Sequence, residues 1–191
     1  MKKLLLVLSL CVASLAHAAV DVGGIRFEDK VNLGAQELQL NGAGQRTRIF
    51  IKVYALGLYM PEKKAQSADV LALAGAKRID MHIVRDITAE QFSDAVLEGI
   101  RKNQSEAELA AIKTRLDDFM TAIKTDKAGR KGATITIDWL PDSAVTRLGL
   151  DGKQLGKDIP GEDFYRALLK VWLGNKPVQD NLKDALLGKP Q

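Results

Sequence analysis

Apolar and polar positions along this chain follow two periods, and the two are segregated in sequence. A period of two dominates residues 49–59 (IFIKVYALGLY), a run rich in β-branched and aromatic residues with no proline. That composition predicts a strand. One alternate set is Ile49, Ile51, Val53, Ala55, Gly57 and Tyr59; the other is Phe50, Lys52, Tyr54, Leu56 and Leu58. Both sets are mainly apolar, which places the strand mid-sheet with cover on both faces. Residues 25–27 and 36–40 read as short opening strands around a loop, and residues 61–66 as a polar break. Residues 78–85 alternate Ile79, Met81 and Ile83 against Arg78, Asp80, His82 and Val84, the pattern of a half-buried strand. Residues 134–139 alternate strictly, with Ile135, Ile137 and Trp139 on one face. Residues 144–150 form a further strand, and Asp151-Gly152 predicts a tight hairpin turn into residues 153–155.

A helical period takes over elsewhere. Residues 68–74 predict a short helix. Thr88 and Gln91 have capping-box spacing, and Phe92, Ala95, Val96, Gly99 and Ile100 form one apolar face behind them. Ser105 and Glu108 repeat the signal ahead of Leu109, Ile112, Leu116, Phe119, Met120 and Ile123. Residues 129–132 read as a basic turn. The last quarter predicts helices over about 162–173 and 179–187, separated by Gly174 and Pro177. Strands first, helices in the middle, a hairpin and then helices is not an alternating βαβ order. It predicts an α+β fold with an antiparallel sheet covered by helices.

The opening residues change the picture of location. Lys2 and Lys3 precede an apolar stretch, residues 4–15, and Ala16-His17-Ala18 has the form of a cleavage site. Residues 1–18 thus read as a signal peptide with cleavage after Ala18 and export, most simply to a bacterial periplasm. The apolar stretch is too short to span a bilayer, and no transmembrane segment is expected in the mature chain. Residues 19–191 are expected to form one domain with a substantial core. Without Lys2 and Lys3, 26 basic residues face 24 acidic ones, and the net charge falls from +4 to +2. Such a balance, without clustering, gives no nucleic-acid footprint. The one cysteine, Cys11, leaves with the leader, so neither a disulfide nor a cysteine nucleophile is available to the mature chain. His82, its one histidine, lies among strand positions without metal-ligand spacing and reads as a satisfied or exposed side chain; no metal and no cofactor is expected.

Candidate chemistry concentrates just ahead of the long strand. Asn41, Gly42, Ala43 and Gly44 read as a small glycine-rich turn that delivers Arg46 to the strand's mouth. The two glycines permit either a positive φ or the close approach of another group. Arg46 has two readings: an anchor for an anionic or electron-rich ligand, or a structural arginine that caps a turn or pairs with a carboxylate. Arg48 and Lys52 read as a solvated strand edge. Asp117, Asp118, Glu106 and Glu108 read as solvated helix faces, and Trp139 and Trp172 as core.

The stretch G-A-G-Q-R followed by I-K-V-Y-A-L-G-L-Y is similar to the chalcone isomerase family, in particular its bacterial chalcone-isomerase-like branch. A second segment, residues 172–188 (WLGNKPVQDNLKDALLG), resembles the family's C-terminal helix pair. The resemblance covers residues 22–188. It implies an open-faced β-sandwich in which a large sheet is layered with helices, with a ligand cleft between the long strand and the helices. In the family's enzymes an arginine stabilises the enolate that develops when a phenolate adds to an enone, and tyrosine, threonine and asparagine side chains complete the site. Arg46 matches the arginine. Tyr54 stands where the strand threonine would be, Phe92 in place of the tyrosine, Gly99 in place of the asparagine and Val171 in place of the C-terminal threonine. Each lost donor to a developing oxyanion costs roughly 10²–10³ in rate. The pattern implies a binding protein for a small apolar or amphipathic, fatty-acid-like ligand, as in the family's non-enzymatic members. Arg46 is then at the polar end of the cleft, with Tyr54, Phe92, Gly99 and Val171 lining it. The alternatives are a lyase or isomerase acting on an enone, with Arg46 as electrophile and Tyr54 as donor, and an interaction module with no cleft ligand.

Overall fold

The computed structural model describes residues 19–124 and 128–189; the expected leader, residues 1–18, lies outside the described residues. A short hairpin, β1 (Val20–Val22) and β2 (Ile25–Phe27), opens the chain. It is followed by β3 (Lys30–Leu33), β4 (Gln36–Arg48), β5 (Ile51–Met60), α1 (Ser67–Ala72), β6 (Lys77–Ile83), α2 (Ala89–Lys102) and α3 (Glu106–Ile123). Then come β7 (Thr134–Leu140), β8 (Val145–Leu150), β9 (Lys153–Gln154), β10 (Ile159–Pro160), α4 (Glu162–Leu173) and α5 (Asp180–Leu186). The main sheet runs β10-β8-β7-β6-β5-β4-β3, with β9 paired to β8, and its pairings are antiparallel. The fold is α+β, as the order of periods predicts.

The two periods sort the core into two layers. Tyr54, Leu56 and Leu58 of β5, Ile79, Met81 and Ile83 of β6, and Ile135 and Ile137 of β7 are buried with the inward faces of α2, α3 and α4. On the other face, Ala55 and Tyr59 join Phe27, Leu38 and Leu40 in a smaller cluster. The long strand is therefore covered on both sides, in the register that its two apolar sets imply. Gly57 allows this on the smaller side: a Cβ there would lie 2.7 Å from the Phe27 ring. Both capping boxes form. The Thr88 and Ser105 hydroxyls each accept from the backbone N–H three residues on, while Gln91 and Glu108 reach back to the cap N–H. Asp151-Gly152 makes the expected turn, with φ of 50° and 76°. His82 is satisfied, its Nδ1 3.3 Å from the Thr134 hydroxyl and its Nε2 3.2 Å from Asp80.

One expectation is corrected. Residues 41–44 are not a turn; they lie inside the thirteen-residue strand β4. Gly42 and Gly44 serve the other purpose that their sequence allows, a close approach. A Cβ at Gly42 would sit 2.0 Å from the Ala185 carbonyl oxygen, and one at Gly44 would sit 2.6 Å from the Ala185 methyl group. The pair is a seat for α5 on the sheet. Asn41 occupies a register irregularity between Leu40 and Gly42, and its amide donates to the carbonyls of Leu186 (2.6 Å) and Lys64 (3.0 Å), locking the seat. The turn itself falls later, at Ile49 and Phe50, so the next strand begins at Ile51 rather than Ile49.

Candidate functional site

Arg46 sits near the end of β4, directly across from Tyr54 on β5. A register shift follows immediately, between Arg46 and Thr47, so that Val53 has no partner on β4. Bulges of this kind re-aim a neighbouring side chain. Here Gln179, just before α5, holds the irregularity in place. Its Oε1 accepts from Arg46 Nη1 (2.9 Å) and from the Thr47 N–H (2.8 Å), and its Nε2 donates to the Gln45 carbonyl (3.2 Å) and to Asn181. Arg46 Nη1 also donates to the Thr47 carbonyl at 2.7 Å.

Arg46 differs from the other half-buried arginines. Among the described residues Arg78, Arg115 and Arg147 are also half-buried, and each makes a two-pronged pair with an aspartate: Asp138, Asp163 and Asp158, at 2.6–2.8 Å. Arg46 has no such partner among the described residues; its hydrogen bonds go to a carbonyl and an amide oxygen, both neutral. A half-buried guanidinium is therefore held by one nitrogen, with further donors left for an anion. Carboxylates suit the planar fork of donors that arginine presents.

The Tyr54 hydroxyl is already engaged. It accepts from Trp172 Nε1 of α4 at 2.9 Å, in a buried position. Burial pushes its pKa up to about 12, and the Trp172 hydrogen bond and the nearby Arg46 charge offset this only in part. Tyr54 is thus a neutral phenol at physiological pH, and its own O–H proton is not used in the Trp172 bond. Phe92 of α2 and Val171 of α4 lie in the same core cluster. Gly99 of α2 meets Val171 directly: a Cβ at Gly99 would stand 2.7 Å from Val171 Cγ1. The five residues singled out by resemblance thus fall on two facing layers. Tyr54, Phe92, Gly99 and Val171 are packed against or beside one another's elements, and Arg46 sits at the rim. Two surface depressions, of about 400 and 420 Å³, lie instead on the outer face of α2 and between α1, α3 and α4, and neither is lined by any of the five.

Gln179 and Trp172 complete the arrangement. Trp172 reads from sequence as plain core, and its indole N–H role depends on Tyr54, 118 positions away. Gln179 carries no periodic signal; the sequence reads it as the first residue of the last helix, whereas it is the cap residue one position ahead of α5.

The sequence profile of the chalcone isomerase-like family matches residues 19–188, and the chain belongs to that family. No curated protein sequence matches it. Among solved structures, the chain is similar to a fatty-acid binding protein of Arabidopsis thaliana, with 19% sequence identity and a TM-score of 0.67, covering 89% of this chain and 96% of that one. At that identity the similarity establishes the shared fold, which is the open-faced sandwich that the sequence resemblance implies.

Proposed function

We propose that this protein is a non-catalytic carrier of a small amphipathic carboxylate of the fatty-acid type, with Arg46 as the anchor for the carboxylate. The carrying observation is the half-buried Arg46 guanidinium bonded to neutral oxygens alone, beside three arginines of similar burial that each have an aspartate. The neighbour of the same fold that is named a fatty-acid binding protein supports the ligand class. In this reading the tail of the ligand enters between β5 and the α2/α4 layer, along Tyr54, Phe92, Gly99 and Val171. Gly99 lets α2 and α4 of that layer approach closely, since a Cβ there would meet Val171 Cγ1 at 2.7 Å. Phe92, Gly99 and Val171 offer an apolar wall, while the Tyr54 hydroxyl, which accepts from Trp172, keeps its own proton to donate.

The same observations weigh against the lyase alternative. With phenylalanine, glycine and valine in place of the family's polar set, Arg46 and the Tyr54 O–H are what remains of that set to stabilise an enolate. Export to a periplasm through a leader ending at Ala18 belongs to the same proposal and rests on the sequence pattern.

Native mass spectrometry of the protein isolated from its own cells tests the reading. The expected result is a protein beginning at Ala19 that carries a small amphipathic acid, lost in Arg46→Ala. A protein bare in both forms, and unshifted in melting temperature by added fatty acid, contradicts it. Turnover of a chalcone that disappears in Arg46→Ala would restore the lyase reading.

A further inference from the structure

The β4–β5 hairpin outruns the rest of the sheet. The last β5–β6 pair is Tyr54 with Ile83, and β3 covers only the opposite end of β4, from Gln36 to Gln39. The tip beyond Val53 therefore projects past its neighbours by about 10 Å, at roughly 3.3 Å per residue. Arg48 pairs with Ile51 across a two-residue turn in which Ile49 has φ 47° and Phe50 has φ 64°. Two successive positive φ values define a type I′ turn, which favours Asn-Gly. A β-branched residue in that region is a steric outlier.

What this strained turn achieves is exposure. Ile49 is 80% exposed, Phe50 98% and Ile51 42%. With Val20 they are the exposed large hydrophobics among the described residues, and three of the four are consecutive. Scattered apolar residues need no explanation, whereas a contiguous apolar tip does. The flanks of the tip are basic: Arg48 and Lys52 are exposed on either side of it. Arg85 and Lys131 stand exposed at the same end of the sheet, where the loop after β6 is tied to the loop before β7 by a 3.0 Å hydrogen bond from the Ile87 N–H to the Gly129 carbonyl. Among the described residues the acids beside them are engaged. Glu98 of α2 feels Arg48 but pairs with Lys102, Asp86 accepts from the Lys131 N–H, and Asp151 pairs with Arg130.

We infer that this hairpin tip docks on an anionic phospholipid surface, with Ile49 and Phe50 entering the headgroup layer while Arg48 and Lys52 meet the phosphates. The shape chooses the occupant. Three side chains on a convex tip bury far less than the roughly 800 Å² per partner of a stable protein interface. A fluid interface accepts such a tip without a preformed groove, and adjacent cations add attraction to anionic lipid. The inference stands independently of what Arg46 binds. It would place the surface three residues beyond Arg46 along β4.

Vesicle co-sedimentation of the protein as isolated from its cells tests this, with phosphatidylcholine vesicles either pure or containing phosphatidylglycerol. All variants share one N-terminus, so the tip is the sole difference between them. Wild type is expected to pellet with the anionic vesicles. Phe50→Asp is expected to weaken that association by roughly tenfold. The pair Arg48→Gln and Lys52→Gln is expected to remove the preference for phosphatidylglycerol, by roughly thirtyfold for two cations near the surface. A second variant, Ile49→Asn with Phe50→Gly, installs the favoured turn residues; it is expected to melt higher than wild type and yet fail to pellet. Wild type staying in the supernatant overturns the inference, including the case in which the tip cross-links to a protein instead. So does either tip variant pelleting as wild type does.

Discussion

At the scale of single residues, the protein turns on which polar groups are satisfied internally and which are not. Trp172 Nε1 satisfies the Tyr54 hydroxyl in a buried setting. Trp172→Phe therefore leaves a buried hydroxyl without its donor and is expected to cost about 1–3 kcal/mol in urea denaturation. Adding Tyr54→Phe to it should cost less than the sum of the single changes, because the orphaned group is then gone. Arg46 shows the opposite condition, a charge held by neutral oxygens. How far these residues could be read from sequence differs for a physical reason. Arg46 was legible because it follows a glycine pattern with a family resemblance. Gln179 was not, since its partners Arg46 and Thr47 lie 133 and 132 positions away and no local rule links them. Asn41–Gly44 was misread as a turn because a glycine needed for a positive φ and one needed for close approach look alike until the partner, Ala185, is known.

At the scale of elements, local rules succeeded where their cause is local. The two capping boxes and the Asp151-Gly152 turn are each closed within a few residues, and each formed as expected. The β4–β5 turn failed that test: Ile49 and Phe50 belong to a β-type run and carry none of the residues that announce a type I′ turn. Since non-glycine residues in such conformations cost on the order of 1–3 kcal/mol each, Ile49→Asn with Phe50→Gly should raise the unfolding free energy by about that amount, measured in denaturant. The contact between α2 and α4 makes a second prediction. Gly99→Ala drives a methyl group into Val171 and should destabilise by roughly 1–3 kcal/mol. Val171→Ala provides the space, so the double variant should recover much of the Gly99→Ala loss, a coupling visible in a double-mutant cycle.

At the scale of the whole molecule, the sheet with its two-sided cover makes the protein sensitive to high pH. Its tyrosines are Tyr54, Tyr59 and Tyr165. Burial pushes the Tyr54 pKa up to about 12, and it also raises those of Tyr59 and Tyr165. A phenol whose folded pKa lies above its unfolded value contributes stability that is fully present below the unfolded value, near 10, and is lost as pH rises toward the folded value. For Tyr54 alone the loss amounts to about 2–3 kcal/mol. Absorbance near 295 nm should therefore show little tyrosinate at pH 10 and a rise coincident with unfolding above it; smooth titration near pH 10 in the folded protein would contradict this burial. The Arg46 carboxylate anchor is the claim on which the functional account rests. Isothermal titration with dodecanoate and with dodecanol, for wild type and Arg46→Gln, isolates it. Wild type is expected to prefer the acid by roughly tenfold or more, and Arg46→Gln to lose this preference while its affinity for the alcohol is unchanged. An acid preference that survives in Arg46→Gln, or a wild type that binds neither, would contradict it.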